Sequence, residues 1–394
     1  MTNRKIHIGA INKMKEFSFK IPQNIEFGAG SLNKLPEILK EVGSEHVFLI
    51  SDHGLERIGV VDRIQNIIEA SGIKCTKYLE VISNPTINIV NEATAFYHKC
   101  GATSLVALGG GSPMDVAKAV GVLANYGGNI TDYEGLCKVP GTIVPMIAIP
   151  TTAGTGSEVT ASAVITDEER NYKLSIISYE IIPKYAVLDP ELIMTAPVSI
   201  AASCGIDALI HAMEAYVSVM ATPFSDAMAE KAMELIGGNI RRFVANRKDE
   251  DAACAMMAGC NFAGIAFAWA KLGNVHAMSH PVSTYFHVPH GVANAVILPS
   301  VIEYNALADH GRYAKIYGYI TGKDPQIDFK PEMLVEAVKK LNAELGLPSS
   351  LSEIGVTEDK IPQMAEDAMK SANVQVNPRQ TMEKDMILLY QKAL

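Results

Sequence analysis

The sequence predicts an α/β half built on a parallel sheet, residues 1–196, followed by an all-α half, residues 197–394. Three observations carry that expectation. Short continuous apolar runs alternate with stretches of helical periodicity as far as Leu188, the pattern of strands covered on both faces by helices. Beyond about Pro197 such runs stop, and Ala, Met, Leu and Ile recur at helical spacing with few glycines. A chain of 394 residues is also long for one hydrophobic core, so two domains is the natural expectation.

Phe17 to Phe27 alternates apolar and polar residues up to Gly28-Ala-Gly30 and reads as an edge strand entering a turn. Ser31 to Val42 has helical spacing at Leu32, Leu35, Ile38 and Leu39. His46-Val-Phe-Leu-Ile-Ser-Asp52 is an apolar run ending in a carboxylate, and a helix follows through Val61, Ile64, Ile67 and Ile68. Cys75 to Val81 then reads as strand and Thr86 to Lys99 as helix. The next strand, Ser104 to Leu108, delivers Gly109-Gly-Gly-Ser-Pro-Met-Asp115 straight into a helix over Val116 to Ala124. Met146 to Pro150 ends in Thr151-Thr-Ala-Gly-Thr-Gly-Ser-Glu158. Lys173 falls in a hairpin-like region, and Tyr185 to Leu188 closes the strand series before Asp189-Pro190. Helical periodicity then covers Ala212 to Ile236, Ala252 to Phe267, Pro331 to Leu345 and Asp385 to Ala393.

Hydrophobic residues make up 48% of the chain and charged residues 20%, ordinary for a compact soluble protein. A net charge of −9 with no Lys/Arg cluster argues against a nucleic-acid partner, because neutralising phosphates needs a basic face. Met1 to Asn12 carries no apolar signal core, and no eighteen apolar residues run without a charge or turn signal. The expectation is a cytoplasmic protein with no membrane partner. Cys75, Cys100, Cys137, Cys204, Cys254 and Cys260 show no CxxC pair or framework spacing, and are expected to be reduced, mostly buried thiols without a metal role.

Two loops stand out. In Gly109 to Asp115 the glycines let a phosphate approach the backbone, while the helix behind presents free N–H groups and partial positive charge. The spacing is not GxGxxG, and alone it reads as a structural turn; inside a βα series it points to a nucleotide phosphate. The Thr/Gly loop after Pro150 offers hydroxyls and close approach, and both loops follow the carboxyl ends of apolar strands, where ligands of open α/β sheets bind. Asp52 ends the second strand, where a carboxylate accepts hydrogen bonds from ribose hydroxyls and repels a 2′-phosphate, favouring NAD over NADP; the plainer alternative is a helix-capping aspartate.

Half of the ten histidines fall between Asp207 and His290. On a helix, residues four apart share a face, so Asp207 with His211, and His276 with His280, each aim two donors at one spot. Imidazole and carboxylate together suit a borderline divalent ion such as Zn²⁺ or Fe²⁺. Any one of these histidines is more simply a satisfied helix residue; the density, and the Pro289-His-Gly291 turn, favour a metal. Spacing does not choose among His276, His280, His287 and His290.

Four segments taken together resemble one family: Gly109 to Asp115, Pro150 to Glu158, Gly205-Ile-Asp-Ala-Leu-Ile-His-Ala-Met-Glu-Ala-Tyr216, and Val275-His-Ala-Met-Ser-His280 leading to Pro289-His-Gly-Val-Ala-Asn-Ala295. Over nearly its whole length the chain is similar to the iron-dependent (group III) alcohol dehydrogenases. The resemblance implies Asp207, His211, His276 and His290 as ligands of Fe²⁺ or Zn²⁺, with His280, the catalytic candidate, beside the metal as a group supporting the ligands or relaying a proton. It implies an NAD(H) site that includes Gly110 and Asp115, with Gly111 and Ser112 at the pyrophosphate, Thr151, Thr152 and Thr155 at the nicotinamide, Lys173 at the ribose, and Asn84 on the adenosine side. It places Thr160, Ser162, Phe267, Trp269, Lys271 and Asn373 near a small alcohol or aldehyde substrate.

Relatives usually carry Phe and then small or amide residues before the histidine matched by His276, whereas this chain has Phe267-Ala-Trp-Ala-Lys271. Lys271 is either a surface lysine or a point charge for an anionic tail, as on sulfoacetaldehyde or succinic semialdehyde. The alternative substrate is neutral, such as 1,3-propanediol or lactaldehyde. Readings of another class are a dehydroquinate-synthase-like lyase and a non-catalytic nucleotide- and metal-binding protein. The Phe17 to Phe27 edge is expected to serve a homodimer.

Overall fold

The computed structural model describes residues 16–170, 172–324 and 328–394. The expectation for Met1 to Asn12 lies outside the described residues. In the first half β1 (Asn24–Phe27), α1 (Leu35–Glu41), β2 (His46–Ile50), α2 (His53–Arg57), α3 (Val60–Ala70), β3 (Lys74–Tyr78), α4 (Ile87–Cys100), β4 (Ser104–Gly109) and α5 (Gly111–Tyr126) follow one another. Then come β5 (Gly135–Leu136), β6 (Met146–Pro150), β7 (Ser162–Asp167), β8 (Tyr172–Ile177), β9 (Tyr185–Leu188) and the short α6 (Pro190–Ile193). The rest is helical: α7 (Val198–Val217), α8 (Pro223–Ala245), α9 (Glu250–Ala270), α10 (Asn274–Phe286), α11 (His290–Asn305), α12 (Arg312–Thr321), α13 (Pro331–Glu344), α14 (Ile361–Met369) and α15 (Glu383–Ala393). The fold is thus a parallel-sheet α/β domain followed by a mostly helical one.

The main sheet has the order β1-β9-β6-β4-β2-β3 with every pairing parallel. Its apolar runs are explained by burial on both faces: Phe48, Ile50, Leu105 and Ala107 pack one core, while Val47, Leu49, Val106 and Leu108 pack the other. From β2 the chain goes outward to β3 and then returns to β4 on the opposite side. That reversal opens a crevice beyond the carboxyl ends of β2 and β4, the usual ligand position in an open α/β sheet. A smaller sheet, β5-β8-β7, holds the expected hairpin, with Thr166 opposite Lys173.

Three expectations are corrected. Of Phe17 to Phe27, only Asn24–Phe27 is strand, its ladder with β9 beginning where Asn24 pairs with Tyr185, the first residue of β9. The Ala212 to Ile236 periodicity is broken between α7 and α8, where Thr222 accepts the Ser225 N–H at 3.2 Å and Pro223 opens the next helix. Among the described residues three helical segments, Val198–Val217, Glu250–Ala270 and His290–Ala308, are by length and composition apolar enough to cross a bilayer, although each carries at least one acidic residue. They are core elements here, with 78%, 61% and 61% of their most apolar windows buried in the protein. All six cysteines are free, but only Cys260 is buried and Cys137 is exposed, so "mostly buried" does not describe them.

Candidate metal and nucleotide site

One face of α7 presents Asp207, His211 and Glu214, since residues three and four apart stack along a helix. His276 lies in the first turn of α10, and His290 opens α11. Gly291 lets α11 lie against α7: a Cβ there would overlap the Ser203 carbonyl oxygen and stand 3.2 Å from the Asp207 Cβ. The donor atoms of Asp207, His276 and His290 all lie within 4.8 Å of one another. His211 joins them, its Nε2 3.8 Å from Asp207 Oδ1 and its ring stacked on His276 at 4.6 Å. His280 stacks on His290 at 5.3 Å, beside that cluster. His287 is exposed in a left-handed turn between α10 and α11 (φ 54°).

Hydrogen bonds select the tautomers. His211 Nδ1 lies 3.2 Å from the Gly154 carbonyl, and His276 Nδ1 lies 2.6 Å from Glu214 Oε2. Both partners only accept, so each ring carries a proton on Nδ1, and each Nε2 faces Asp207. Burial lowers His211 to about 4 and His290 to about 3, against the opposing pull of Asp207. Burial pulls His276 down too, but Glu214 and Asp207 raise it to about 9. Burial lowers His280 well below its ordinary value, and nearby His290 adds to the effect. Burial pushes Asp207 up, yet His211, His276 and His290 outweigh it and hold the carboxyl below the usual range.

These residues fit a divalent ion. Asn294 Nδ2 donates to Asp207 Oδ1 at 2.6 Å and lies 3.2 Å from Nε2 of both His276 and His290. Its own Oδ1 is buried without a partner. Two amide hydrogens thus face three acceptors, leaving lone pairs that a cation would use. Three imidazoles and one carboxylate suit Fe²⁺ or Zn²⁺. Asn294 and Glu214 escaped the sequence reading; their only signals were positions four after His290 and three after His211.

At the sheet crevice, Asp52, Gly110, Gly111, Ser112, Thr152 and Thr155 line one cleft of about 540 Å³, joined by Ile200 and Cys204 of α7. The two loops touch because they lack bulk: a Cβ on Gly110 would meet Thr152 Oγ1 at 3.3 Å, and one on Gly111 would meet Thr155 Cγ2 at 3.2 Å. Thr151 N–H donates to the Gly109 carbonyl at 3.0 Å. Asp52 also caps α2, accepting the Leu55 N–H at 3.0 Å, so the plainer alternative holds alongside its place in the cleft. Lys173 Nζ donates to Asn84 Oδ1 at 2.8 Å, and Asn84 has a left-handed backbone (φ 55°). Burial lowers the Lys173 pKa, with Asp115 opposing.

Asp115 turns inward. Its carboxylate accepts the Ser157 hydroxyl at 2.9 Å and the Val164 N–H at 3.2 Å, and burial raises it to about 6. Beside it is fully buried Lys118, another residue the sequence reading missed. Its Nζ donates to the carbonyls of Ser157, Thr160 and Ser162 at 2.7, 3.0 and 2.8 Å. Thr160 also brings its hydroxyl within 3.3 Å of that amine. Lys118 and Asp115 therefore fix the Thr/Gly loop to α5.

The remaining expected substrate residues spread out. Phe267 packs on His211 at 4.5 Å. Trp269 stacks on Tyr179 at 5.2 Å and meets Phe19 at 4.9 Å. Lys271 ends α9 in a left-handed conformation (φ 64°), with Nζ donating to Ala268 O at 3.0 Å. Asn373 sits half-buried in the short helical turn Ala372–Val376, which packs against α10.

A crevice at the switch point of a parallel sheet, joined through the Gly154–His211 hydrogen bond to a three-histidine, one-carboxylate cluster, defines a nucleotide- and metal-dependent dehydrogenase layout. The chain belongs to the iron-containing alcohol dehydrogenase family: the model described as "Iron-containing alcohol dehydrogenase" matches residues 22–190, and that of the family's C-terminal domain matches residues 201–394. It is 37% identical over 372 residues to lactaldehyde reductase of Escherichia coli (strain K12), covering 93% of this chain and 97% of that one. Among solved structures it is similar to a 1,3-propanediol oxidoreductase, with a TM-score of 0.93 and 34% identity over 96% of this chain and 100% of the other. It is also similar to sulfoacetaldehyde reductase from Bifidobacterium kashiwanohense in complex with NAD⁺, with a TM-score of 0.87 and 29% identity over 96% and 99%.

Proposed function

We propose that the protein interconverts a short-chain alcohol and its aldehyde with NAD(H) at this centre, on a substrate whose far end is polar or anionic. The carrying observation is the Gly154–His211 hydrogen bond, which ties the Thr/Gly loop of the expected nicotinamide site to the metal-ligand cluster. Asp207, His211, His276 and His290 would hold a divalent ion, which would supply a Lewis acid for the substrate oxygen, and the sheet-end cleft would hold the NAD(H) that would supply the hydride chemistry. The chain's own residues position and shield. Glu214 and the Gly154 carbonyl orient two imidazoles, Phe267 covers His211, and His280, kept neutral by burial, is placed to relay a proton. The carboxylate of Asp52 at the mouth of the cleft favours NAD over NADP.

The polar or anionic tail rests on Lys271 and on likeness to a sulfoacetaldehyde reductase. A neutral diol or lactaldehyde is the second reading, favoured by the Lys271 Nζ being bonded back to Ala268 O and by the lactaldehyde reductase relative. Following NADH absorbance with paired neutral and anionic short aldehydes separates them: the proposal expects an anionic preference that Lys271→Ala removes, and an unchanged preference takes Lys271 out of the pocket. Steady NADH consumption fits a dehydrogenase and neither a lyase nor a binding protein. His276→Ala and His290→Ala are expected to lose metal and turnover together; a variant without metal at full rate would overturn the centre.

The free thiols fit a cytoplasmic location. The open edge of β1, with Phe27 45% exposed, fits a homodimer formed edge to edge, which sedimentation tests directly. The same reading divides the chain near residue 196, between β9 and α7.

A further inference from the structure

We infer that Glu214 is a positioning residue that fixes two things with one carboxylate, the tautomer of His276 and the seating of the helix that carries it. The inference rests on the metal reading above. It starts from the N-terminus of α10. The first four N–H groups of any helix lack intrahelical partners, and a side chain at the N-cap usually satisfies one of them. Here the N-cap is Gly273, which has no side chain to offer. The acceptors come instead from outside the helix. Glu214 Oε1 accepts the Val275 N–H at 2.7 Å, and Asn377 Oδ1 accepts the Asn274 N–H at 3.3 Å while being held by Asn305 Nδ2 at 3.0 Å.

The other oxygen of Glu214 accepts His276 Nδ1–H at 2.6 Å. The carboxylate is 5% exposed, so water cannot readily replace it at either contact. Negative charge at a helix N-terminus is favourable, and a carboxylate is acceptor-only. Ring and helix are consequently locked together. His276 cannot turn or move its proton to Nε2 without losing Oε2, and the carboxylate cannot follow it without uncapping Val275. Nε2, 3.6 Å from Asp207 Oδ1, is left as the ligating atom.

Gly273 belongs to the same device. A Cβ there would stand 2.9 Å from Glu214 Oε1 and 3.1 Å from Asn377 Oδ1, so the absent side chain makes room for both caps.

The test uses full-length protein stripped with a chelator and titrated with Co²⁺ in competition with that chelator. Glu214→Gln keeps the shape but offers one acceptor where two N–H donors need one each; its NH₂ either opposes Val275 or forces the His276 proton onto Nε2. The expected result is a 10- to 100-fold loss of Co²⁺ affinity and an altered visible absorption spectrum of the bound Co²⁺. Gly273→Ala, which presses on Oε1 and leaves the carboxylate intact, is expected to shift affinity in the same direction; it carries the test if Glu214→Gln does not fold. Wild-type affinity and spectrum in the folded variants overturn the role of Glu214 while leaving the metal centre standing. Failure of the wild type itself to bind Co²⁺ overturns the centre and this inference with it.

Discussion

Single residues decide how the Thr/Gly loop is held, and Lys118 is the sharpest case. Its amine is buried among three carbonyls, those of Ser157 in the Thr/Gly loop and of Thr160 and Ser162 just after it, and burial lowers it to about 8 from the ordinary 10.5. A lowered amine pKa means the folded chain binds that proton less tightly than the unfolded chain. Its contribution therefore makes stability rise with pH between about 8 and 10.5, where the unfolded amine keeps a proton the folded one has released. Lys118→Met is expected to cost about 3 kcal/mol near neutral pH, because the carbonyls lose a buried donor. The wild-type-minus-variant difference in urea unfolding should carry the alkaline rise; a flat difference would mean the amine is not desolvated. Lys118 was not legible in the sequence. In Asp115-Val-Ala-Lys118 it looks like any helix-surface lysine, and only the loop folded over it, some forty residues later, reveals its burial.

Elements set the spacing of the ligands. Asp207 and His211 were readable as a pair because helical geometry alone puts them on one face. His276 and His290 were not separable from His280 and His287 by spacing, since the turn between α10 and α11 decides which rings face inward. That turn leaves His287 exposed and sends His290 into the cluster. The helix-to-helix approach depends on Gly291, so Gly291→Ala is expected to push α11 off α7 and cost about 1–3 kcal/mol in urea unfolding. It should also carry His290 away from Asp207 and lower the metal retained on purification. Loss of stability with full metal content would show that α11 moves without disturbing the ligands. The α7–α8 break was legible in Thr222-Pro223, a helix-start signal overridden in the sequence reading by the unbroken apolar periodicity.

At the scale of the whole molecule, the Gly154–His211 contact joins the sheet-end cleft to the helical cluster, and Ile200 and Cys204 of α7 line that same cleft. A site shared this way is expected to couple its two ligands, and any such coupling is reciprocal. Metal-stripped protein is expected to bind NADH more weakly than metal-loaded protein, by the same factor by which NADH tightens Co²⁺ binding. Calorimetric titrations run in both orders measure the factor, and independent affinities would show the two halves to be uncoupled. The sequence by itself determined the fold class, the helix and strand alternation, the two glycine- and threonine-rich loops and the pool of candidate metal ligands. These are local matters of periodicity, turn chemistry and residue type. Only the tertiary structure decided which histidines converge, that Glu214 and Asn294 hydrogen-bond them, that Lys118 and Asp115 hold the Thr/Gly loop, and that α7, α9 and α11, apolar enough for a bilayer, are largely buried in the helical domain. Those outcomes depend on contacts between residues far apart in the chain, and a contact across sixty or a hundred positions leaves no periodic trace in either partner.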